Sequence, residues 1–125
     1  MKYLCLIHLN EEELNARPAR ELSALNAEHL DFNDRLRESG HFIVAEALQP
    51  AAEAACVRVR TEQASVTDGP FTEAKELIAG FYLIEARDMR EATDIAARIP
   101  SARLGTVEVR AARQLVVDGR APRWG

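Results

Sequence analysis

One histidine, one tyrosine and a short run of charged residues carry most of the chemistry open to this chain of 125 residues. Ser65-Val66-Thr67 lead into Asp68-Gly69-Pro70, and Glu73, Lys75 and Glu76 follow closely. Asp-Gly-Pro is strong turn punctuation. Glycine reaches backbone angles closed to other residues, and proline fixes its own φ and withdraws an amide donor. Such a turn holds the nearby side chains in fixed places, and Phe71 is expected to plug into the core and anchor it. If residues 72–76 coil into a helical turn, Glu73 and Glu76 share a face; if they run extended, Glu73 and Lys75 share a side.

His29 stands among Leu22, Leu25, Phe32 and Leu36, which recur at three- and four-residue steps, so the ring is expected to face the protein interior. Imidazole titrates near neutral pH. A carboxylate such as Asp68 at hydrogen-bond distance would orient the ring and raise its pKa, giving an acid–base pair. Tyr82 can line the same cavity, because a buried hydroxyl needs a partner. Each residue also has a plainer role. His29 and Tyr82 serve as satisfied core side chains, and the charged turn is a surface loop whose ion pairs contribute about 0–1 kcal/mol each. Tyr3 shares the ambiguity of Tyr82, while His8 and His41 sit at strand ends and are expected at the surface.

Asp68 and Glu73 offer oxygen ligands of the kind hard cations prefer, but no spacing demands a metal. No Cys or His pair has zinc-ligand spacing. A glycine-rich phosphate loop, a Ser-His-Asp pattern and a haem signature are all missing. Neither a metal nor a cofactor is expected.

These residues need elements to position them. Residues 2–9 (KYLCLIHL) are apolar on both alternating faces until His8, as in a central strand. Residues 18–39 predict a long helix with Pro18 in its first turn and Gly40 at its end. Residues 41–48 predict a second strand. Residues 54–60 alternate, Val57 and Val59 facing in and Arg58 and Arg60 out, and turn through 61–63 into a return strand at 64–67. Residues 78–86 predict another doubly apolar, central strand. Asp88 caps a second helix, with Glu91 completing a capping-box-like pair, and Pro100 stops it. Residues 106–112 predict the last core strand, and 113–125 a tail.

The order of elements is that of an α+β, ferredoxin-like split βαβ plan with an antiparallel sheet and a hairpin insert. Two helices cover only one sheet face. The other would expose a large apolar patch unless a second copy covered it, so a twofold homodimer is predicted.

Size and composition narrow the function classes. The chain suits one domain. Hydrophobic residues are 47% and charged residues 29%, ordinary for a globular protein. No apolar run reaches the length of a membrane span, and Tyr3 to Leu9, followed by Glu11-Glu12-Glu13, reads as a strand and not a signal peptide. A cytoplasmic setting is expected. The net charge of −4 and the lack of a basic patch argue against nucleic-acid binding, the tail arginines (Arg110, Arg113, Arg120, Arg123) reading as a solvated end. Cys5 and Cys56 lie in apolar runs and read as buried thiols.

The segment Thr67-Asp68-Gly69-Pro70-Phe71-Thr72-Glu73-Ala74-Lys75-Glu76 resembles the DGPFAETKE signature of YCII-related (DGPF-type) proteins. Flanking segments match in order: the opening strand, HLDFNDRLRESG (29–40), EALQP (46–50), AGFYLIEA (79–86) and AARIPSARLGTVEVR (96–110). The resemblance covers roughly residues 1–112. Thr72-Glu73-Ala74 replaces the commoner Ala-Glu-Thr, and Ala79 stands where glycine is frequent. The resemblance implies a dimeric α/β barrel, a fold whose relatives include cofactor-free oxygenases, isomerases, haem enzymes and effector-binding modules. Fold alone does not choose among them.

Three functions follow as expectations. In the first, a small cofactor-independent enzyme acts on a small organic molecule, with His29 as acid–base group, Asp68 as its orienter, and Glu73, Lys75, Glu76 and Tyr82 as substrate-binding groups. In the second, the same cavity binds a ligand or regulator without chemistry. In the third, the domain is a structural dimer. The partners expected are a second copy of the chain and a small-molecule ligand, with neither nucleic acid nor membrane.

Overall fold

A computed structural model describes residues 1–121. Arg123, counted above with the basic tail, lies outside the described residues. In chain order the elements are β1 (Lys2–Leu9), α1 (Glu11–Asn15), α2 (Ala19–Glu38), β2 (Phe42–Ala47), β3 (Ala55–Arg60), β4 (Gln63–Asp68), β5 (Leu77–Glu85), α3 (Met89–Ala96) and β6 (Thr106–Ala111). Two 3₁₀ turns, Ala51–Glu53 and Pro100–Leu104, join them.

Four strands form an antiparallel sheet in the order β2-β5-β1-β6, and β3 and β4 form a separate two-stranded ribbon. The two doubly apolar strands, β1 and β5, are the two central ones. Their pairing sets Cys5 opposite Tyr82 and Leu6 opposite Phe81. Tyr3, Cys5, Ile7, Tyr82 and Ile84 therefore point to one side, where they bury with Phe32 and Leu36 of α2 and Ala92 and Ile95 of α3. Leu4, Leu6, Phe81 and Leu83 point to the other side and are half-buried; among the described residues, α2 and α3 pack on the first side.

Local signals account for most boundaries. Asn10 accepts from the Glu13 amide and starts α1, a short helix that the apolar periodicity does not announce. Asp88 caps α3 through the Glu91 amide at 2.9 Å. Glu91 reaches back to the amide of Arg87, one residue before the position a reciprocal box would use. α3 ends at Ala96, and Pro100 opens the following 3₁₀ turn instead of stopping the helix. Gly105 closes that turn because a Cβ there would collide with the backbone oxygen of His8.

The hairpin departs from its expected role. Thr61 and Glu62, both at positive φ (50° and 62°), make the turn, and the cross-strand register puts Val57, Val59, Ala64 and Val66 on one face. That face was expected to turn inward. It is open within the chain, Val57 at 67% and Val66 at 64% exposure, because the ribbon pairs with no strand of the main sheet. Phe71 corrects the expectation in the same way. At 78% exposure it anchors nothing in the core, since the turn at Gly69 (φ 97°) leads into an irregular surface loop. Cys5 is fully buried, but Cys56 is only half-buried and its thiol donates to the Gly69 carbonyl at 3.3 Å.

No helix among the described residues is long and apolar enough to cross a membrane.

Candidate functional site

A cavity of about 470 Å³ opens between α2 and the helix-facing side of the sheet. Ile7 and Leu9 of β1, Leu22 and Leu25 of α2, and Ala45 of β2 give it apolar walls. Its polar lining residues are Asn26, His29, Asn33, Tyr82 and Ser101, with Glu46 of β2 at the edge, opposite Phe81. Asn26, His29 and Asn33 recur at three- and four-residue steps, so α2 presents all three along one stripe.

Tyr82 and Ser101 come from opposite walls. Tyr82 rises from central strand β5 opposite Cys5 and packs edge-on against Phe32, ring centroids 5.8 Å apart. Ser101 is the second residue of the 3₁₀ turn, with Pro100 at its start. Arg103 fixes that turn to α2: it donates to the Pro100 carbonyl at 3.0 Å and pairs with Glu28 at 2.9 Å.

These groups form a continuous chain of hydrogen bonds. The Tyr82 hydroxyl donates to Asn33 Oδ1 at 2.6 Å. It lies 2.8 Å from His29 Nδ1, while His29 Nε2 lies 2.6 Å from Ser101 Oγ. A phenol has one proton, and Asn33 takes it. Tyr82 must then accept from the Nδ1–H of His29. A neutral ring with its proton on Nδ1 leaves Nε2 free to accept, so Ser101 donates its hydroxyl proton there. The imidazole also stacks on the Tyr82 ring, centroids 6.0 Å apart at 25°.

Burial dominates the electrostatics. It pushes the Tyr82 hydroxyl up to about 12, which keeps the phenol protonated. Desolvation lowers the pKa of His29 below its ordinary 6.5, Glu28 opposing the shift and Arg103 adding to it. The expectation of a raised value is thus reversed. It assumed a carboxylate on the ring, whereas both ring nitrogens face neutral hydroxyls. Burial thus favours the neutral form of the His29 ring.

Of the residues singled out from the sequence, His29 and Tyr82 meet in this cavity. Asp68 does not hold the ring; it is exposed at the end of β4, opposite Ala55. Glu73 and Lys75 are exposed and Glu76 half-buried on the loop before β5, and none of the three lines the cavity. Tyr3 is buried with its hydroxyl near Met1 Sδ at 3.8 Å. His8 pairs with Glu108 at 3.1 Å and His41 with Glu91 at 3.5 Å, both half-buried.

Ser101, Asn33 and Asn26 were missed. The helical step itself could have found the asparagines, since they flank His29 at i−3 and i+4 on an otherwise leucine-rich face. Nothing local marks Ser101, which is distant in sequence and buried to 4% exposure. Among the described residues no cluster of three or more His, Cys, Asp or Glu could hold a metal ion.

The comparisons with known proteins agree with the signature. An uncharacterized protein of Rhizobium meliloti (strain 1021) is 35% identical over 101 residues, covering 79% of this chain and 76% of that protein. The model of the YCII-related domain matches residues 1–115, which include the whole sheet, the cavity and the charged loop. The chain belongs to the YCII-related family.

Proposed function

We propose that the chain is a small cofactor-independent enzyme that uses His29 as acid–base group on a small, largely apolar organic molecule bound under α2. One observation carries this reading: a neutral imidazole, held at both ring nitrogens, stands in the wall of a cavity large enough for a small ligand. Tyr82, steadied by Asn33, takes the orienting role that sequence reasoning gave to Asp68. A positioned base of this kind contributes about 100- to 10,000-fold to a proton-transfer step.

A metabolite library screened by thermal shift, with product detection by mass spectrometry, tests the proposal. Compounds that fit the cavity should raise the melting temperature of wild type and of His29→Gln alike, and only wild type should convert them. Turnover that survives intact in His29→Gln overturns the acid–base role. Stabilisation without product in wild type points instead to a ligand-binding module, which the mostly apolar walls also favour.

The assembly follows the same reasoning. The strand order supports the ferredoxin-like plan, and the uncovered row of Leu4, Leu6, Phe81 and Leu83 supports a twofold dimer with sheets face to face. Light scattering should give twice the chain mass, and Leu6→Glu should shift it to the mass of one chain.

A further inference from the structure

The geometry points to Ser101 as a nucleophile, with a small neutral ester or thioester as the substrate class of the cavity. This rests on the reading of His29 as the acid–base group and extends it to a covalent reaction. Ser101 Oγ lies 2.6 Å from His29 Nε2, and the opposite ring nitrogen is held 2.8 Å from Tyr82. A nucleophile within hydrogen-bond reach of a base, the base itself oriented by a third group, is the constellation that activates serine. Here the third group is a phenol fixed by Asn33.

The cavity narrows the substrate. Among the described residues its lining includes no Lys or Arg, and its one charged side chain is the carboxylate of Glu46, so a phosphoryl or carboxylate group would enter without a counter-charge. A neutral acyl group with an apolar chain matches the leucine and isoleucine walls. The side-chain amides of Asn26 and Asn33 line the same wall and are the N–H donors available to a developing oxyanion.

The step balances without a co-reactant other than water. Ser101 Oγ bonds to the acyl carbon and its proton passes to His29 Nε2. The bond from carbon to the leaving oxygen or sulfur breaks, and His29 returns the proton to the departing alcohol or thiol. Water then attacks the acyl-serine with His29 as base, releasing the carboxylic acid and restoring Ser101. Because Tyr82 is a neutral hydroxyl, it stabilises the intermediate imidazolium less than a carboxylate would, so both half-reactions are slow; with an activated ester, whose good leaving group speeds acylation alone, deacylation becomes limiting and the acyl-enzyme accumulates.

Intact-mass and peptide-mapping experiments with p-nitrophenyl butyrate and phenylmethanesulfonyl fluoride test this. Wild type should gain one butyryl or sulfonyl group on Ser101, His29→Gln should react at least about 100-fold more slowly, and Ser101→Ala should gain none. Ser101→Cys, which keeps a nucleophile beside the ring, should be alkylated by iodoacetamide faster than Cys56 and guards against a failure of the alanine variant to fold. No adduct in wild type, although the probes raise its melting temperature, overturns the proposal; so does an adduct on Tyr82. Turnover that depends on His29 but survives in Ser101→Ala also overturns it while leaving the acid–base reading standing. Turnover indifferent to both substitutions sinks the two together.

Discussion

Beneath α2, four polar side chains, Tyr82 and Ser101 buried and His29 and Asn33 half-buried, satisfy one another on the cavity wall; along the hairpin and the loop that follows it, Asp68, Glu73 and Lys75 stand exposed. The loop is the more recognisable in sequence and the strip under α2 the more demanding in structure. In a low-dielectric setting each hydrogen bond of the buried chain is strengthened, and each broken one leaves a costly orphan. At the surface, water and salt replace whatever a side chain loses. A dense cluster of charges thus stands out in the sequence, while the groups that meet in the cavity are hydroxyls, an amide and one imidazole.

The contrast is broken or sharpened first at the two phenylalanines. Phe32→Ala, in the core beside Tyr82, should cost about 3–5 kcal/mol in urea unfolding, whereas Phe71→Ala should stay within about 0.5 kcal/mol. Equal effects would mean that the loop is packed after all. Next comes Tyr82→Phe, which strips His29 Nδ1–H and Asn33 Oδ1 of their shared partner and should cost about 1–3 kcal/mol. A silent substitution there would dissolve the chain of hydrogen bonds.

Acid should act on the buried strip through His29. Its folded pKa lies below the unfolded value of 6.5, so the unfolded chain takes up the proton first. The stability carried by the neutral ring is complete above that value and falls as pH drops through it toward the lower folded one. Melting temperatures recorded down the pH scale should show this decline in wild type and a shallower one in His29→Gln.

The hairpin allows a gain. Replacing Thr61-Glu62 by Asn-Gly, the pair that best tolerates two positive φ angles, should stabilise the protein by about 1 kcal/mol. The smallest effect belongs to the charged loop: Glu73→Gln or Lys75→Ala should move stability by no more than about 0.5 kcal/mol. A large loss at either would assign the loop a buried partner, such as the second copy of the proposed dimer.

Much of the sheet was legible because burial writes itself into periodicity. β1 and β5 are apolar on both faces, and they are the central strands; the leucine stripe of α2 and the Asp88 cap of α3 speak equally directly. His29 was legible as a polar residue in an apolar row. Its partners were not. Ser101 arrives from a 3₁₀ turn some seventy positions away, and no local rule links it to α2. Asp68 fits the expectation that a carboxylate is the usual companion of a histidine, but the fold sends its strand into a ribbon apart from the main sheet. Val57, Val59 and Phe71 misled for one reason: hydrophobicity tells that a face wants cover, and a single chain need not provide it.

The two thiols differ enough to make the molecule easy to instrument. Cys5 is sealed under the helices with its pKa pushed up to about 11, so it stays an unreactive thiol. Cys56 is half-buried and bonded to the carbonyl of Gly69, at the bend after β4. A maleimide fluorophore will therefore attach at one place, without mutagenesis, and its emission will register any rearrangement of that bend when a ligand or a second copy arrives.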